Sequence, residues 1–203
     1  MIIGPRYKIA RRLGVPVFEK TQTQKYALRS TEKAGNKSGP RPRAKSDYGL
    51  GLLEKQRARF SYGITSKQFG NYVKAAVAGK GNSSEALVVA LESRLDNVAL
   101  RSGFAPTRQA ARQMVSHGHL TVNGKSVTIP SYKIKIGDKV GIKASSSKKA
   151  LFATLDERLK THKIPAWLKL NADKRELTVD GVPRVEKTEL LFSPGAVLEF
   201  YSR

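Results

Sequence analysis

The chain has 203 residues, enough for one or two small domains with cores of their own. Its 38 Lys and Arg against 16 Asp and Glu give a formal net charge of +22, and Cys is absent. The charge calls for a polyanionic partner, because each neutralised phosphate releases condensed counterions, and the missing Cys excludes disulfides and thiolate-held zinc. A membrane surface competes with nucleic acid only if an amphipathic basic helix or a lipidation site is present. The opening residues MIIGPRYK lead into no apolar signal segment, and the longest apolar run, Ala86 to Leu91, is too short to span a bilayer. Charge is concentrated early: residues 1–60 hold 15 Lys and Arg against 4 acids, whereas residues 145–203 hold 11 against 8.

Residues 1–45 are punctuated by Gly4-Pro5, Gly14, Pro16, Gly35, Gly39-Pro40 and Pro42. A short helix near Ile9–Leu13 in an otherwise extended arm is expected, ordered mainly when phosphates neutralise it. Arg6, Lys8, Arg11 and Arg12 surround Tyr7, a cluster suited to RNA. Ser46 and Asp47 are N-cap candidates for a helix through Phe60, with Lys55, Arg57 and Arg59 as its basic face. Tyr62-Gly63 reads as a turn. Ser66 caps the next helix, where Phe69, Tyr72, Val73 and Ala76 form a packed face at helical spacing. After a Gly79–Asn82 loop, Leu87, Leu91, Leu95 and Val98 predict one helix from about Ser84 to Arg101, stopped by Gly103.

Thr107 begins a further helix with Arg108 and Arg112 on one face and Ala111, Met114 and Val115 on the other. Gly118 ends it. A strand at 120–122 leads into Asn123-Gly124, the strongest short hairpin signal in the chain. Segments 127–129, 134–136 and 140–142 read as further strands, with Gly137-Asp138 as the last turn. Residues 144–150 read as a flexible basic hinge and 151–159 as helix. Trp167 is the single Trp and a local packing anchor, while 177–179 and 197–201 read as strands.

Catalytic signals are weak. His117 and His119 flank Gly118 with no Cys or acid beside them, a poor metal pattern, and no metal or cofactor is expected. No nucleophile elbow and no phosphate-cradling glycine loop is present. Arg94-Leu95-Asp96 resembles the stretch holding the catalytic Asp of pseudouridine synthases. Here it falls within a helical pattern, so Asp96 is expected to pair or cap near Arg94 or Arg101 rather than to attack substrate.

The segment as a whole resembles the S-four RNA-binding domain. The residues that carry this are Arg94-Leu-Asp-Asn97, Gly103-Phe104, Thr107-Arg108-x-x-Ala111-Arg112-Gln113, Val115-x-His117-Gly-His119, Val122-Asn-Gly-Lys125, Ile129-Pro-Ser-Tyr132 and Gly137-Asp138. The flanks resemble bacterial-type ribosomal protein S four: Ser46-Asp-Tyr-Gly49, Leu53-Glu-Lys-Gln-x-x-Arg59, Tyr62-Gly63, Lys67-Gln-Phe-x-Asn-Tyr72, Pro165-x-Trp-Leu168 and the ending Glu199-Phe-Tyr-Ser-Arg203. Gly4-Pro5 and Arg11-Arg12-x-Gly14 fit that family's opening, and the likeness covers essentially the whole chain.

The resemblance implies an α+β fold. A mainly helical domain (46–91, completed by 171–203) follows a basic arm (1–45) and holds an inserted α-α-β S-four domain (92–170), a small twisted antiparallel sheet packed on two helices. It also implies a protein of the ribosome, in the cytoplasm or alternatively in an organelle, that is not an enzyme. Such a protein binds 16S-type rRNA at a 5′-domain junction early in small-subunit assembly. It neighbours ribosomal proteins S three and S five near the channel by which mRNA enters, and the contact with S five influences decoding accuracy. Some members repress their own mRNA. Many members hold zinc on Cys residues in the arm, whereas this chain has other residues there. RNA contacts are expected from Arg108, Arg112 and Lys125 on one surface and from Arg11, Arg12, Lys55, Arg57 and Arg59 on another. The resemblance adds Arg43, Lys45, Tyr48, Lys67, Arg94, Arg101, His117, His119, Tyr132 and Lys133. The competing readings are an RNA-modifying enzyme built on Asp96, which lacks room for a catalytic domain, and a stand-alone RNA binder, which leaves the flanks unexplained.

Overall fold

In the computed structural model, residues 3–35, 46–171, 174–186 and 189–202 are described. Two compact units emerge, Met1–Leu87 with Val185–Arg203, and Val88–Arg184.

In the first unit, α1 (Arg6–Leu13) ends at Gly14, whose φ of 71° turns the chain. A 3-10 turn at Glu19–Thr21 and α2 (Gln24–Gly35) follow. Within the described part of the arm, Ala10, Leu13, Val17 and Phe18 form a small core against Tyr26 and Phe60. Buried Thr21 closes its turn by donating to the Phe18 carbonyl at 2.6 Å. The expected extended chain is corrected here, because widely spaced apolar residues still converge once α1 and α2 bring them together. Arg43 and Lys45 lie outside the described residues.

Helix α3 (Asp47–Tyr62) is capped by Ser46, which accepts from the Gly49 amide at 3.2 Å, and stops at Gly63. Helix α4 (Ser66–Ala78) is capped by Thr65 rather than Ser66, in a reciprocal box with Gln68. Its Phe69 and Val73 are buried, and Tyr72 is half-buried.

The last segment, expected as a strand at 197–201, is a helix, α9 (Pro194–Ser202). Ser193 and Pro194 supply a helix start that outweighs the β-prone composition after them. Val197, Phe200 and Tyr201 then share one face at i, i+3, i+4. Phe200 lies where a Cβ on Gly51 of α3 would be 3.0 Å away, and Tyr201 meets Phe69 with ring centroids 6.0 Å apart.

The second unit continues α5 (Ser83–Glu92), which Asn82 caps by accepting from the Ser84 amide at 3.0 Å. The single helix expected to Arg101 breaks at Ser93-Arg94, and α6 (Leu95–Arg101) starts afresh. The cause is the 130–134 loop: Leu95 and Asp96 amides donate to the Tyr132 and Pro130 carbonyls, and the Ile134 amide donates to Ser93. The segments 127–129 and 134–136, expected as strands, form none; beside them Lys133 makes an isolated bridge with Arg94. Helix α7 (Arg108–Ser116) has Thr107 as N-cap.

A five-stranded antiparallel sheet follows: β1 (Leu120–Val122), β2 (Lys125–Ser126), β3 (Lys139–Ile142), β4 (Leu168–Asn171) and β5 (Glu176–Val179), in the order β2-β1-β3-β5-β4. Asn123 and Gly124 make the β1–β2 hairpin with φ of 50° and 79°.

Residues 144–150, expected as a hinge, begin with a 3-10 turn at Ala144–Ser146 and run into a second at Ala150–Phe152, and Ser146 is buried. Helix α8 (Leu155–Thr161) leads to β4. Trp167 joins the core of Leu95, Phe104, Met114, Val140, Phe152 and Leu177. Because β5 pairs with both β3 and β4, the chain returns to the helical unit at Val185, later than the expected 171.

Candidate nucleic-acid interface

In the first unit, α1 presents exposed Lys8, Arg11 and Arg12, with Arg6 half-buried. Tyr7 stacks on Tyr26 at 5.6 Å and remains 51 % exposed, an aromatic platform among cations. Lys67 is also exposed. The basic stripe of α3 is only partly directed outward. Arg57 donates from Nε to the Leu13 carbonyl at 2.9 Å and pairs with Glu54, so it ties α1 to α3. Lys55 lies 5.0 Å from the Phe200 and Tyr201 rings, and Arg59 lies over Phe60 at 4.3 Å. Burial pulls the Arg59 guanidinium below the usual arginine value, an effect Tyr201 partly offsets. These cations fasten side chains as well as facing solvent.

Tyr48 sits in a different setting. It packs on Phe200 at 5.3 Å in an open groove of about 650 Å³ lined also by Asp47, Leu50, Leu53, Glu54 and Glu199. Arg57 also lines the groove and pairs with Glu54, which leaves Asp47 and Glu199 to make the rim acidic and disfavour phosphate.

In the second unit, α6 and α7 pack together and bring the arginines over two buried acids. Asp96 is 2 % exposed and accepts a two-point contact from Arg94, at 3.0 Å to Oδ1 and 2.7 Å to Oδ2. Arg112 adds Nε and Nη2 contacts to Oδ2 at 3.1 and 2.7 Å. Glu92, 0 % exposed, accepts from Arg101 and from Asn97, whose Oδ1 in turn accepts from Arg108 at 3.1 and 2.7 Å. Arg94 is therefore corrected from an RNA contact to a structural residue, because at 3 % exposure it cannot meet a phosphate. Asp96 pairs with Arg94 as the sequence suggests, but its second partner is Arg112 rather than Arg101.

At the α7–β1 junction, His117 and His119 stack with centroids 6.0 Å apart, and His119 Nδ1 meets the Ser146 hydroxyl at 3.0 Å. Desolvation first, then Lys149, His117 and Lys143, hold His119 below the ordinary histidine value. Lys125, Tyr132 and Lys133 are exposed. Sequence reading missed Lys143 and Lys149 beside His119, and Glu92 and Asn97 beneath the arginines. The adjacency Asp96-Asn97 was the available signal for the latter. Nothing local marked the lysines, which the sheet brings to the histidine. Among the described residues no group of three or more His, Asp or Glu is placed to hold a metal ion.

A helix pair leading into a small antiparallel sheet, with guanidiniums seated on buried carboxylates, defines a protein of the S4-domain class. Residues 93–140 match the family described as S4 domain, and residues 1–92 match Ribosomal protein S4/S9 N-terminal domain. The chain is 42 % identical over 203 residues to Small ribosomal subunit protein uS4 of Roseiflexus castenholzii, covering 99 % of this chain and 98 % of that protein. Proteins of the same name from Chloroflexus aurantiacus and Polaromonas naphthalenivorans are each 40 % identical over 99 % of this chain and 98 % of their own length. The chain belongs to the small-subunit ribosomal protein uS4 family, whose members are structural and non-enzymatic.

Proposed function

We propose that the chain is a structural constituent of the small ribosomal subunit that binds 16S-type rRNA at a 5′-domain junction and nucleates assembly there. Membership of the uS4 family supports the ribosomal role. The observation that carries the RNA contact is the set of partly exposed guanidiniums on α6 and α7, Arg101 on Glu92, Arg112 on Asp96 and Arg108 on Asn97, in a chain of net charge +22. Arg101, Arg108, Arg112, Lys125, Lys133 and the His117–His119 pair form one RNA surface, with Tyr132 available for stacking. Arg6, Lys8, Arg11, Arg12, Lys67 and Tyr7 form the other, flanked by Lys55 and Arg59. Two surfaces on one chain raise the effective concentration of each at a folded junction.

The acid-rimmed groove of Asp47, Tyr48, Glu54, Glu199 and Phe200 is assigned to a basic protein neighbour, ribosomal protein S five, through which decoding accuracy is influenced. Tyr48 thus moves from RNA contact to protein contact. Ribosomal protein S three and mRNA entering the subunit complete the neighbourhood in this reading, and the protein works in the cytoplasm as part of the ribosome. Among the described residues no helix is long and apolar enough to cross a membrane. Sucrose-gradient sedimentation of lysate tests the proposal. Co-migration with the small subunit through a moderate-salt wash is expected, and a wholly free pool would count against it.

A further inference from the structure

Glu92 and Asp96 are buried more completely than their chemistry favours. Taking a carboxylate out of water is unfavourable unless it is paired, and one guanidinium each would provide that pairing. The cluster holds more. Arg94, itself 3 % exposed, already satisfies Asp96 through two contacts, yet Arg112 sends Nε and Nη2 to the same carboxylate. Glu92 takes Nε and Nη2 of Arg101 at 3.0 and 3.2 Å and the Asn97 amide at 2.6 Å. Asn97, 1 % exposed, relays the constraint to Arg108. The two groups adjoin, since Asp96 and Asn97 are consecutive and Arg108 and Arg112 are one turn apart on α7. About a quarter of the Arg101 and Arg112 side chains remains at the surface, 25 % and 28 %.

We propose that Glu92 and Asp96, with Asn97 as relay, are positioning residues for RNA recognition, which fix Arg101, Arg108 and Arg112 in one geometry before RNA arrives. This rests on the reading of the chain as an rRNA binder. A surface arginine ordinarily loses rotamer freedom when it meets a phosphate. An arginine clamped along its Nε edge has given up that freedom in folding, and its planar fork is already oriented. Four guanidiniums over two carboxylates leave the cluster positive, so the clamp does not cancel the attraction.

The sign of one substitution separates positioning from simple charge. Asp96→Asn removes a negative charge beside the phosphate site, so electrostatics alone predicts tighter binding. Positioning predicts binding weaker by about three- to tenfold, the range for releasing one or two ordered side chains. The full chain is titrated with a transcript of the small-subunit rRNA 5′ domain, at a temperature where circular dichroism shows each variant folded. Glu92→Gln, which keeps an acceptor for Asn97, is the second variant and covers the case in which Asp96→Asn does not fold. In an Arg112→Ala background, Asp96→Asn is expected to add no further loss, whereas additive losses would place Asp96 in the fold alone. Unchanged or tighter binding by the folded variants overturns the inference while leaving RNA binding intact. A wild-type affinity that fails to fall with rising salt overturns the RNA reading itself.

Discussion

Gly103 has little freedom to change. Its φ is 81°, and a Cβ there would lie 3.0 Å from the His162 ring, whose Nε2 is 3.0 Å from the Arg101 carbonyl. Gly103→Ala combines a left-handed backbone penalty with a clash at that packed ring. We expect a loss of about 1–3 kcal/mol, read from urea unfolding. His119 gives a pH signature. Its folded pKa lies below the ordinary value, so the native state refuses a proton that the unfolded chain accepts. Its contribution is therefore complete above the ordinary histidine range and lost as pH falls through that range toward the folded value. His119→Asn should flatten this part of the stability–pH profile, and an unchanged profile would assign the dependence elsewhere. Glycine and the caps Ser46 and Thr107 were legible in the sequence because the turn or cap is local. The buried setting of Glu92 was not, because burial depends on which helix folds over it.

At the scale of elements, α9 shows how local preference and context compete. Val-Leu-Glu-Phe-Tyr has β-prone residues, but the Ser193-Pro194 start and the face of Val197, Phe200 and Tyr201 make it a helix. Its docking depends on the close approach of Phe200 to Gly51. Gly51→Val should loosen α9 by about 1–3 kcal/mol, detected as faster proteolysis near residue 190 with the Val88–Arg184 unit unaffected. Thr107, whose hydroxyl accepts from the Ala110 amide at 3.1 Å, holds the start of α7. Thr107→Ala should cost about 1 kcal/mol in chemical denaturation. The break between α5 and α6 was hidden for the opposite reason. Leu87, Leu91, Leu95 and Val98 keep helical spacing across it, and only the carbonyls of a loop some 35 residues on draw the backbone at Leu95 and Asp96 out of the helix.

At the scale of the whole molecule, the two units differ in how the chain builds them. Val88–Arg184 is continuous and has its own core, so this fragment should fold alone with a cooperative thermal transition. The other unit is discontinuous, and α9 supplies part of its packing. Deleting residues 185–203 should abolish cooperative unfolding of that unit and leave the transition of the other in place, which two-probe melting would resolve.

Composition, spacing and local motifs by themselves determined that this is a basic, cysteine-free protein with both helices and short strands, that helices begin at Ser46 and Thr107, and that Asn123-Gly124 turns a hairpin. These features depend on neighbours within a few residues, where backbone preference and capping decide the outcome. Tertiary structure alone decided which arginines are structural and which face solvent. All share one chemistry, but Arg94 is buried against Asp96 and Arg57 is turned to the Leu13 carbonyl, while Arg11 and Arg12 stay exposed. It also decided that β4 and β5 belong to the sheet and that Tyr48 lies among carboxylates. Each of these rests on contacts between segments far apart in sequence, and no pattern along the chain encodes the distance between them.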